Sequence, residues 1–162
     1  MQAATKMKNR TSLILRLELI CWIATAILLF VLVYPIYSSN PVFPFLTSNI
    51  LSILVFFTLT RHIFLLKHSF LGYIQWAKVL MIVICIPLFI YLMQELNAFN
   101  RFADEIGIQS LYINLSEQGQ STMVEYTKSE YLFFGVGSLI TVVIFPFRML
   151  VSFWRTYNHG TT

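Results

Sequence analysis

The feature that most constrains this chain is an uncharged run of 42 residues, from position 19 to position 60. One membrane-spanning helix needs about 20 apolar residues, so the run is long enough for two such helices and a turn between them. Proline and small polar residues mark loops and disfavour helix in the residue before a proline. The residues that favour the turn are Pro35, Ser38, Ser39, Asn40, Pro41 and Pro44. We therefore expect spans near residues 13–34 and 45–66.

Two further apolar runs lie at residues 79–93 and 131–147. Each reaches spanning length once the flanking Trp, Tyr and Arg residues are counted as anchors at the membrane interface. We expect the third and fourth spans near residues 76–96 and 131–150. The predicted fold is an all-α membrane protein, a single domain over residues 1–162 with four transmembrane helices.

Composition agrees with this class and excludes others. The chain is 57% hydrophobic and 11% charged, whereas soluble domains carry about 25% charged residues. The net charge of +4 comes from basic residues scattered at the ends of apolar runs and not from one basic patch, so we expect no nucleic-acid partner. Cys21 and Cys85 both lie inside apolar runs, where a free cysteine usually acts as a small hydrophobic residue.

The basic residues also orient the helices. With the N-terminus inside, nine of the eleven Lys and Arg residues fall on the inner side, and only Arg101 and Lys128 fall on the outer side. Positive residues favour the cytoplasmic side, so we predict that both termini face the cytoplasm. The inner basic residues are Lys6, Lys8, Arg10, Arg16, Arg61, Lys67, Lys78, Arg148 and Arg155.

The segment between the third and fourth spans, residues 97–130, is the largest part predicted outside the membrane. Apolar residues recur at helical spacing up to Ile106, which predicts that the third helix continues to Gly107, a residue suited to a helix C-terminus. Ser121 is a candidate cap for the start of the next helix. The sequence therefore predicts a short extracytoplasmic helical hairpin.

Ionisable residues at membrane depth are costly and are therefore candidates for function. Glu18 is the one acidic residue predicted on the inner side, and Arg61 ends the neighbouring antiparallel helix at about the same depth. We interpret the two as a structural ion pair that fixes how the first two helices dock. The alternatives are a polar site or proton relay that includes His62, and long side chains that reach the interface without a partner.

Small residues and prolines mark two further features of the spans. Gly135, Gly137 and Ser138 form a small-residue patch in the fourth span, and such residues let helices approach closely. The patch predicts helix packing within the bundle or contact with another subunit or a lipid. Pro87 and Pro146 each remove one helical hydrogen bond and predict kinks, which membrane helices tolerate.

No combination of residues predicts catalysis or a cofactor. The histidines, His62, His68 and His159, do not have the arrangement of two facing imidazoles that a haem site in a helical bundle requires. No Cys, His, Asp or Glu cluster has metal-ligand spacing. The adjacent pair Asp104 and Glu105 would point away from each other on a helix. We therefore expect neither metal nor cofactor.

Three stretches resemble a group of known sequences: residues 60–68 (TRHIFLLKH), 133–137 (FFGVG) and 145–155 (FPFRMLVSFWR). They are similar to small uncharacterised four-helix membrane proteins of Bacteroidota-type bacteria. The resemblance implies a bacterial inner membrane, and because it comes with no known activity, it assigns no catalytic residues to this chain.

The function expected from the sequence is that of a non-catalytic accessory or scaffolding subunit of a membrane complex. Fifteen Phe, eight Tyr and three Trp exceed what four helices can bury among themselves, which favours protein partners or a homo-oligomer in the lipid bilayer. The first alternative is a small oligomeric transporter or channel, and the second is a membrane-embedded enzyme that acts on lipid. An organelle membrane of a eukaryote is the alternative location.

Overall fold

The computed structural model describes residues 2–66 and 75–158, and the regular structure in these residues is helical. The α-helices are α1 (Gln2–Ser39), α2 (Leu46–Leu65), α3 (Gln75–Glu105) and α4 (Glu117–Asn158), and a 3-10 helix covers Ile108–Tyr112. All four α-helices are long and apolar enough to cross a membrane. The predicted all-helical class with four such helices is confirmed.

The helices are not equivalent in their packing. α2 and α4 form the centre of the bundle, α3 packs along α4, and α1 packs mainly along α2. The amide nitrogen of Asn40 donates to the backbone oxygen of Leu111 over 3.0 Å, which joins the α1–α2 connection to the α3–α4 connection. We call this the connection end, with residues 40–45 and 106–116, and we call the opposite end, with Glu18, Arg61 and Arg148, the terminal end.

The central helix α4 buries several polar side chains and exposes many large apolar ones, while Phe134, Phe145 and Met149 are buried against its neighbours. Its buried polar residues are Thr127, Glu130, Ser138 and Thr141. Its exposed apolar residues include Phe133, Ile140, Ile144 and Phe147. A soluble helix shows the opposite distribution, whereas a helix surrounded by lipid turns its polar groups toward the bundle interior.

The predicted turn between the first two helices is partly wrong. α1 continues through Pro35 to Ser39, and the Ser38 hydroxyl donates to the backbone oxygen of Pro35 over 3.1 Å. The chain turns only at Asn40, whose side-chain oxygen accepts the backbone N–H of Val42 at 3.0 Å. One proline removes a single helical hydrogen bond, a loss that membrane helices tolerate, so α1 can continue past Pro35.

The two other helical prolines lie inside continuous helices. α3 extends on both sides of Pro87, and α4 extends on both sides of Pro146. The predicted kinks at these residues stay predictions, while the helices themselves do not end there.

The end of α3 and the beginning of α4 test two further predictions. α3 ends at Glu105, and Gly107 has a φ of 84°, so the predicted stop at Gly107 is confirmed. The proposed cap at Ser121 is wrong because α4 already begins at Glu117. Ser116 acts there instead, since its side-chain oxygen accepts the N–H of Gly119 at 3.4 Å. Only residues 106–116 of the predicted outer loop therefore lie outside the two α-helices.

Candidate functional site

A buried group of polar side chains at the connection end is the most distinctive chemical feature of the described structure. α2 contributes two residues from its first turn, α4 contributes three residues spaced three and four apart, and the 3-10 helix contributes its last residue. We call this group the polar cluster. Its members are Ser48, Asn49, Tyr112, Thr127, Glu130 and Tyr131.

The centre of the polar cluster is a pair between an amide and a carboxyl group. Asn49 Nδ2 donates to Glu130 Oε2 over 2.8 Å. Asn49 is 0% exposed and Glu130 is 6% exposed. The second oxygen of each side chain, Oδ1 of Asn49 and Oε1 of Glu130, is buried without a hydrogen-bond partner. Buried polar atoms without a partner are costly and uncommon, so this pair calls for a physical explanation.

Two hydroxyl pairs flank the amide and the carboxyl group. The hydroxyls of Ser48 and Tyr131 lie 2.9 Å apart and join α2 to α4. Those of Tyr112 and Thr127 lie 2.7 Å apart and join the 3-10 helix to α4. Burial raises the pKa of the Tyr112 hydroxyl, the hydrogen bond with Thr127 opposes this shift, and the carboxyl group of Glu130 adds to it when it is ionised. Tyr112 is therefore a neutral hydrogen-bonding group at ordinary pH.

Aromatic rings pack around the polar cluster. The Phe99 ring of α3 stacks on the Tyr131 ring with centroids 3.9 Å apart. Phe45 contacts both rings edge-on, at centroid distances of 5.5 Å to Phe99 and 6.0 Å to Tyr131. Such aromatic pairs contribute about 0.5–1.5 kcal/mol each beyond their buried area. They also keep water away from the hydroxyl and carboxyl groups beneath them.

At the terminal end, the structure brings the predicted ion-pair residues together. Arg61 Nη2 lies 3.7 Å from Glu18 Oε1, and the two side chains are 13% and 22% exposed. The Arg61 guanidinium also lies 5.8 Å from the centre of the Trp22 ring, within the range of a cation–π contact. Both contacts join α1 to α2, as the structural interpretation requires.

Other basic residues at the terminal end bind polar atoms of neighbouring helices. Arg148 Nε donates to the backbone oxygen of Ile63 over 3.1 Å, and Lys78 Nζ donates to the Ser152 hydroxyl over 3.2 Å. These bonds join α4 to α2 and α3. They are made by charged groups with long, adaptable side chains, unlike the short hydroxyl and amide groups of the polar cluster.

The small-residue patch packs inside this bundle. A Cβ atom on Gly135 would lie 2.9 Å from Leu96 Cδ1 on α3, and one on Gly137 would lie 2.9 Å from Phe56 Cε2 on α2. Ser138 is fully buried and its hydroxyl donates to the backbone oxygen of Gly135. Since Leu96 and Phe56 occupy the space above the two glycines, the patch holds α4 close to its own neighbours.

The described residues contain no group of three or more His, Cys, Asp or Glu side chains that could hold a metal ion. His62 is buried, and its Nδ1 lies 2.6 Å from the backbone oxygen of Thr58 one turn earlier. Two of the histidines considered as haem ligands, His68 and His159, lie outside the described residues. Lys67, one of the basic residues assigned to the inner side, also lies outside them.

Sequence reasoning missed the polar cluster because Glu130 falls in the segment predicted to lie outside the membrane, residues 97–130. The spacing of Thr127, Glu130 and Tyr131 is a usable signal, since residues three and four apart share one face of a helix. Asn49 is a second signal, because it interrupts an apolar span near its beginning. Neither signal identifies the other as its partner.

Comparison with known proteins adds no identification: no family model, no curated protein and no solved structure matches this chain.

Proposed function

We propose that this protein is a non-catalytic integral membrane protein that serves as an accessory or scaffolding subunit of a membrane complex. One observation carries the proposal, an apolar groove between α1 and α3. Its floor is formed by α2, with Leu54, Val55, Thr58 and Leu59, and its walls are Trp22 of α1 and Met81 and Leu88 of α3. The groove has a volume of about 200 Å³.

The groove exists because α1 is attached along a narrow seam. Only 11% of the most apolar window of α1 is buried, against 39% for α4. The buried residues of its span are Ile14, Thr25, Val33 and Ile36. In lipid, helices associate through close packing and hydrogen bonds and not through the hydrophobic effect. A groove lined by three helices therefore offers the side chains of a partner helix more packing contact than a single convex helix does.

Site-directed photo-crosslinking in the native membrane tests the proposal. A photo-reactive residue at Leu54, on the groove floor, should give an adduct with one protein of constant mass. The same protein should co-purify with the tagged wild type in mild detergent at constant stoichiometry. The matched control is Phe147, which lies on the exposed apolar surface of α4 and should give no such adduct.

Two outcomes would contradict this function. If Leu54 crosslinks only to lipid and the wild type purifies alone as a monomer, the groove has no protein occupant. If Leu54 crosslinks to a second copy of the chain and the protein purifies as a homo-oligomer, the transporter or channel alternative replaces the scaffold.

The proposal includes an orientation, with both termini on the cytoplasmic side of a bacterial inner membrane or, alternatively, of an organelle membrane. The distribution of basic residues supports it. Single cysteines at Ser39 and Gln118, near the connection end, should react with an impermeant reagent on intact cells. A cysteine at Thr161, outside the described residues, should react only after the membrane is disrupted, and its labelling on intact cells would reverse the orientation.

The second candidate function is a small oligomeric transporter or channel, and the buried carboxyl group of Glu130 favours it. Buried ionisable residues in membrane proteins often mark ion or proton pathways. Transporter sites usually lie near the bilayer midplane. Asn49 lies at the beginning of α2 and Glu130 precedes the apolar run of α4, so the pair lies near one membrane surface. This position keeps transport the second candidate.

A further inference from the structure

The pair of Asn49 and Glu130 has one hydrogen bond and two buried oxygens without a partner. Asn49 Nδ2 donates to Glu130 Oε2, so this bond engages the NH2 group of the amide and one oxygen of the carboxyl group. The two remaining oxygens, Asn49 Oδ1 and Glu130 Oε1, are both buried acceptors without a partner. An ionised carboxylate has no proton to give, so the ionised form of Glu130 leaves both oxygens without a donor.

None of the described residues that interact with Glu130 carries a positive charge. Tyr112 of the 3-10 helix and Tyr126 and Tyr131 of α4 lie close enough to interact electrostatically with Glu130, and Glu95 and Tyr91 of α3 interact with Tyr131. From α2 come the uncharged Ser48 and Asn49, and from α1 comes the backbone oxygen of Leu32, which accepts the Tyr126 hydroxyl at 2.9 Å. Among the described side chains, no basic residue forms an ion pair with Glu130.

We propose that Glu130 and Asn49 form a proton-binding site at the connection end, in which Glu130 carries a proton on Oε1 and donates it to Asn49 Oδ1. The carboxylic acid and the amide then form a cyclic pair, with one hydrogen bond in each direction. A single proton from water satisfies both unpartnered oxygens. Deprotonation returns that proton to water and requires no other reactant.

The number of oxygen atoms without a hydrogen-bond partner favours a proton over a metal cation as the bound ion. Calcium takes six to eight oxygen ligands and magnesium takes six in octahedral geometry. This site offers two oxygens without a partner, and neither is accessible to solvent. A proton needs only one covalent bond and one acceptor, so it fits a site that is closed on every side.

The proton-binding site makes the contact between α2 and α4 dependent on pH. When Glu130 is protonated, two hydrogen bonds join the helices at this point. When it is ionised, a buried charge faces an amide oxygen, which is strongly unfavourable in a low-dielectric interior. Since the 3-10 helix is attached to the preceding turn of α4 through Tyr112 and Thr127, loss of the proton loosens the connection between α3 and α4. The inference does not depend on the proposed scaffold function.

Two measurements on the purified full-length protein test the site. The infrared spectrum should contain the C=O stretching band of a buried, protonated carboxylic acid. The unfolding equilibrium in mixed micelles should shift at least about tenfold toward the unfolded state as the pH is raised from acid to mildly alkaline, below the range in which tyrosine titrates. The variant Glu130→Gln should remove the infrared band and flatten the pH profile. Its amide can still donate to Asn49 Oδ1 and accept from Asn49 Nδ2, so it should fold at least as well as the wild type.

Glu125→Gln is the matched control. Glu125 lies on the exposed side of the same helix, so this variant should keep both the infrared band and the wild-type pH profile. A second variant guards against misfolding of Glu130→Gln. Asn49→Leu keeps the carboxyl group and removes its partner, so it should move the acid band to the higher frequency of a carbonyl without a hydrogen bond.

Several outcomes would overturn the proton-binding site. A wild-type spectrum without a protonated acid band, or a pH profile that Glu130→Gln leaves unchanged, would mean that Glu130 binds no proton. Stabilisation of the wild type by sodium or calcium ions that Glu130→Gln abolishes would mean that a metal cation occupies the site. Failure of the proposed scaffold function would affect neither the band nor the profile.

Discussion

The two ends of the helix bundle are joined by different kinds of polar contact. At the connection end, buried amide, carboxyl and hydroxyl groups join separate elements at 2.7–2.9 Å. At the terminal end, the contacts involve charged side chains at 3.1–3.7 Å, and the Glu18–Arg61 pair is partly exposed. The first type is short and buried, whereas the second type is longer and includes both the buried Lys78 and the partly exposed Glu18–Arg61 pair.

This difference follows from the dielectric environment. A hydrogen bond between buried groups is strong, and an unpaired group there is costly. Charged pairs near water gain little because solvent screens them and long side chains lose entropy. We therefore infer that the connection end determines the register of α2 against α4, while the terminal end tolerates small movements. The following predictions test this comparison.

The largest effect should fall between the two ends, at Gly137. Replacing it with Leu places a branched side chain where a Cβ atom alone would lie 2.9 Å from the Phe56 ring. Overpacking of this kind typically costs about 1–3 kcal/mol and occasionally more. The free energy of unfolding in mixed micelles measures the loss. Val136→Leu, at an exposed position of the same helix, is the control, and equal stability of the two variants would contradict close packing at Gly137.

The next largest effect should occur at the connection end, in Asn49→Leu. The variant leaves Glu130 Oε2 without its donor, and an unsatisfied buried polar group costs about 1–3 kcal/mol. The same unfolding measurement should show a clearly larger loss than any single substitution in the Glu18–Arg61 pair. Equal losses at the two ends would remove the distinction between them.

A smaller effect should follow from separating Tyr112 and Thr127. Thr127→Val leaves the Tyr112 hydroxyl without a partner and should cost about 1 kcal/mol. The double variant Tyr112→Phe/Thr127→Val should recover part of this loss because no buried hydroxyl is left unpaired. Additive losses in the double-mutant cycle would show that the two hydroxyls do not interact.

Tyr112 also gives a pH prediction with a definite sign. Burial raises its pKa above the ordinary value of 10.0, so the folded protein holds this proton more tightly than the unfolded chain does. Its contribution to stability is present below pH 10.0 and is lost as the pH rises toward the folded-state pKa. Tyr112→Phe should make the alkaline fall in stability shallower, and an unchanged slope would show that Tyr112 does not titrate in this way.

The smallest effect should occur at the terminal end. Glu18→Gln should cost less than about 1 kcal/mol, because the pair with Arg61 is long and partly exposed. The variant Glu18→Gln/Arg61→Gln should recover part of the loss, and added salt should reduce the coupling. Arg16→Gln, at an exposed position nearby, is the control. A coupling energy as large as that of the Asn49–Glu130 pair would contradict the comparison.

Much of the fold was predictable because it depends on local patterns. Four apolar runs predicted four helices of spanning length, and Gly107 predicted the end of α3. The pairing of Glu18 with Arg61 was also accessible, because each residue lies at a known depth on one of two neighbouring helices. The beginnings and ends of α1 and α4 were less accessible. Pro35 predicts a turn, but α1 continues through it to Ser39. Ser121 predicts a helix cap, but α4 already begins at Glu117, where Ser116 accepts a backbone N–H.

The sequence by itself determined the number of helices of spanning length. It also determined roughly where the α1–α2 and α3–α4 connections lie, since periodicity, charge and proline act over a few neighbouring residues. Only the tertiary structure decided that Asn49 meets Glu130, 81 positions away, and that Gly135 and Gly137 face different neighbours. These contacts depend on how α2, α3 and α4 are rotated about their axes. That rotation is a property of the packed bundle, because each helix alone presents all of its faces equally to lipid.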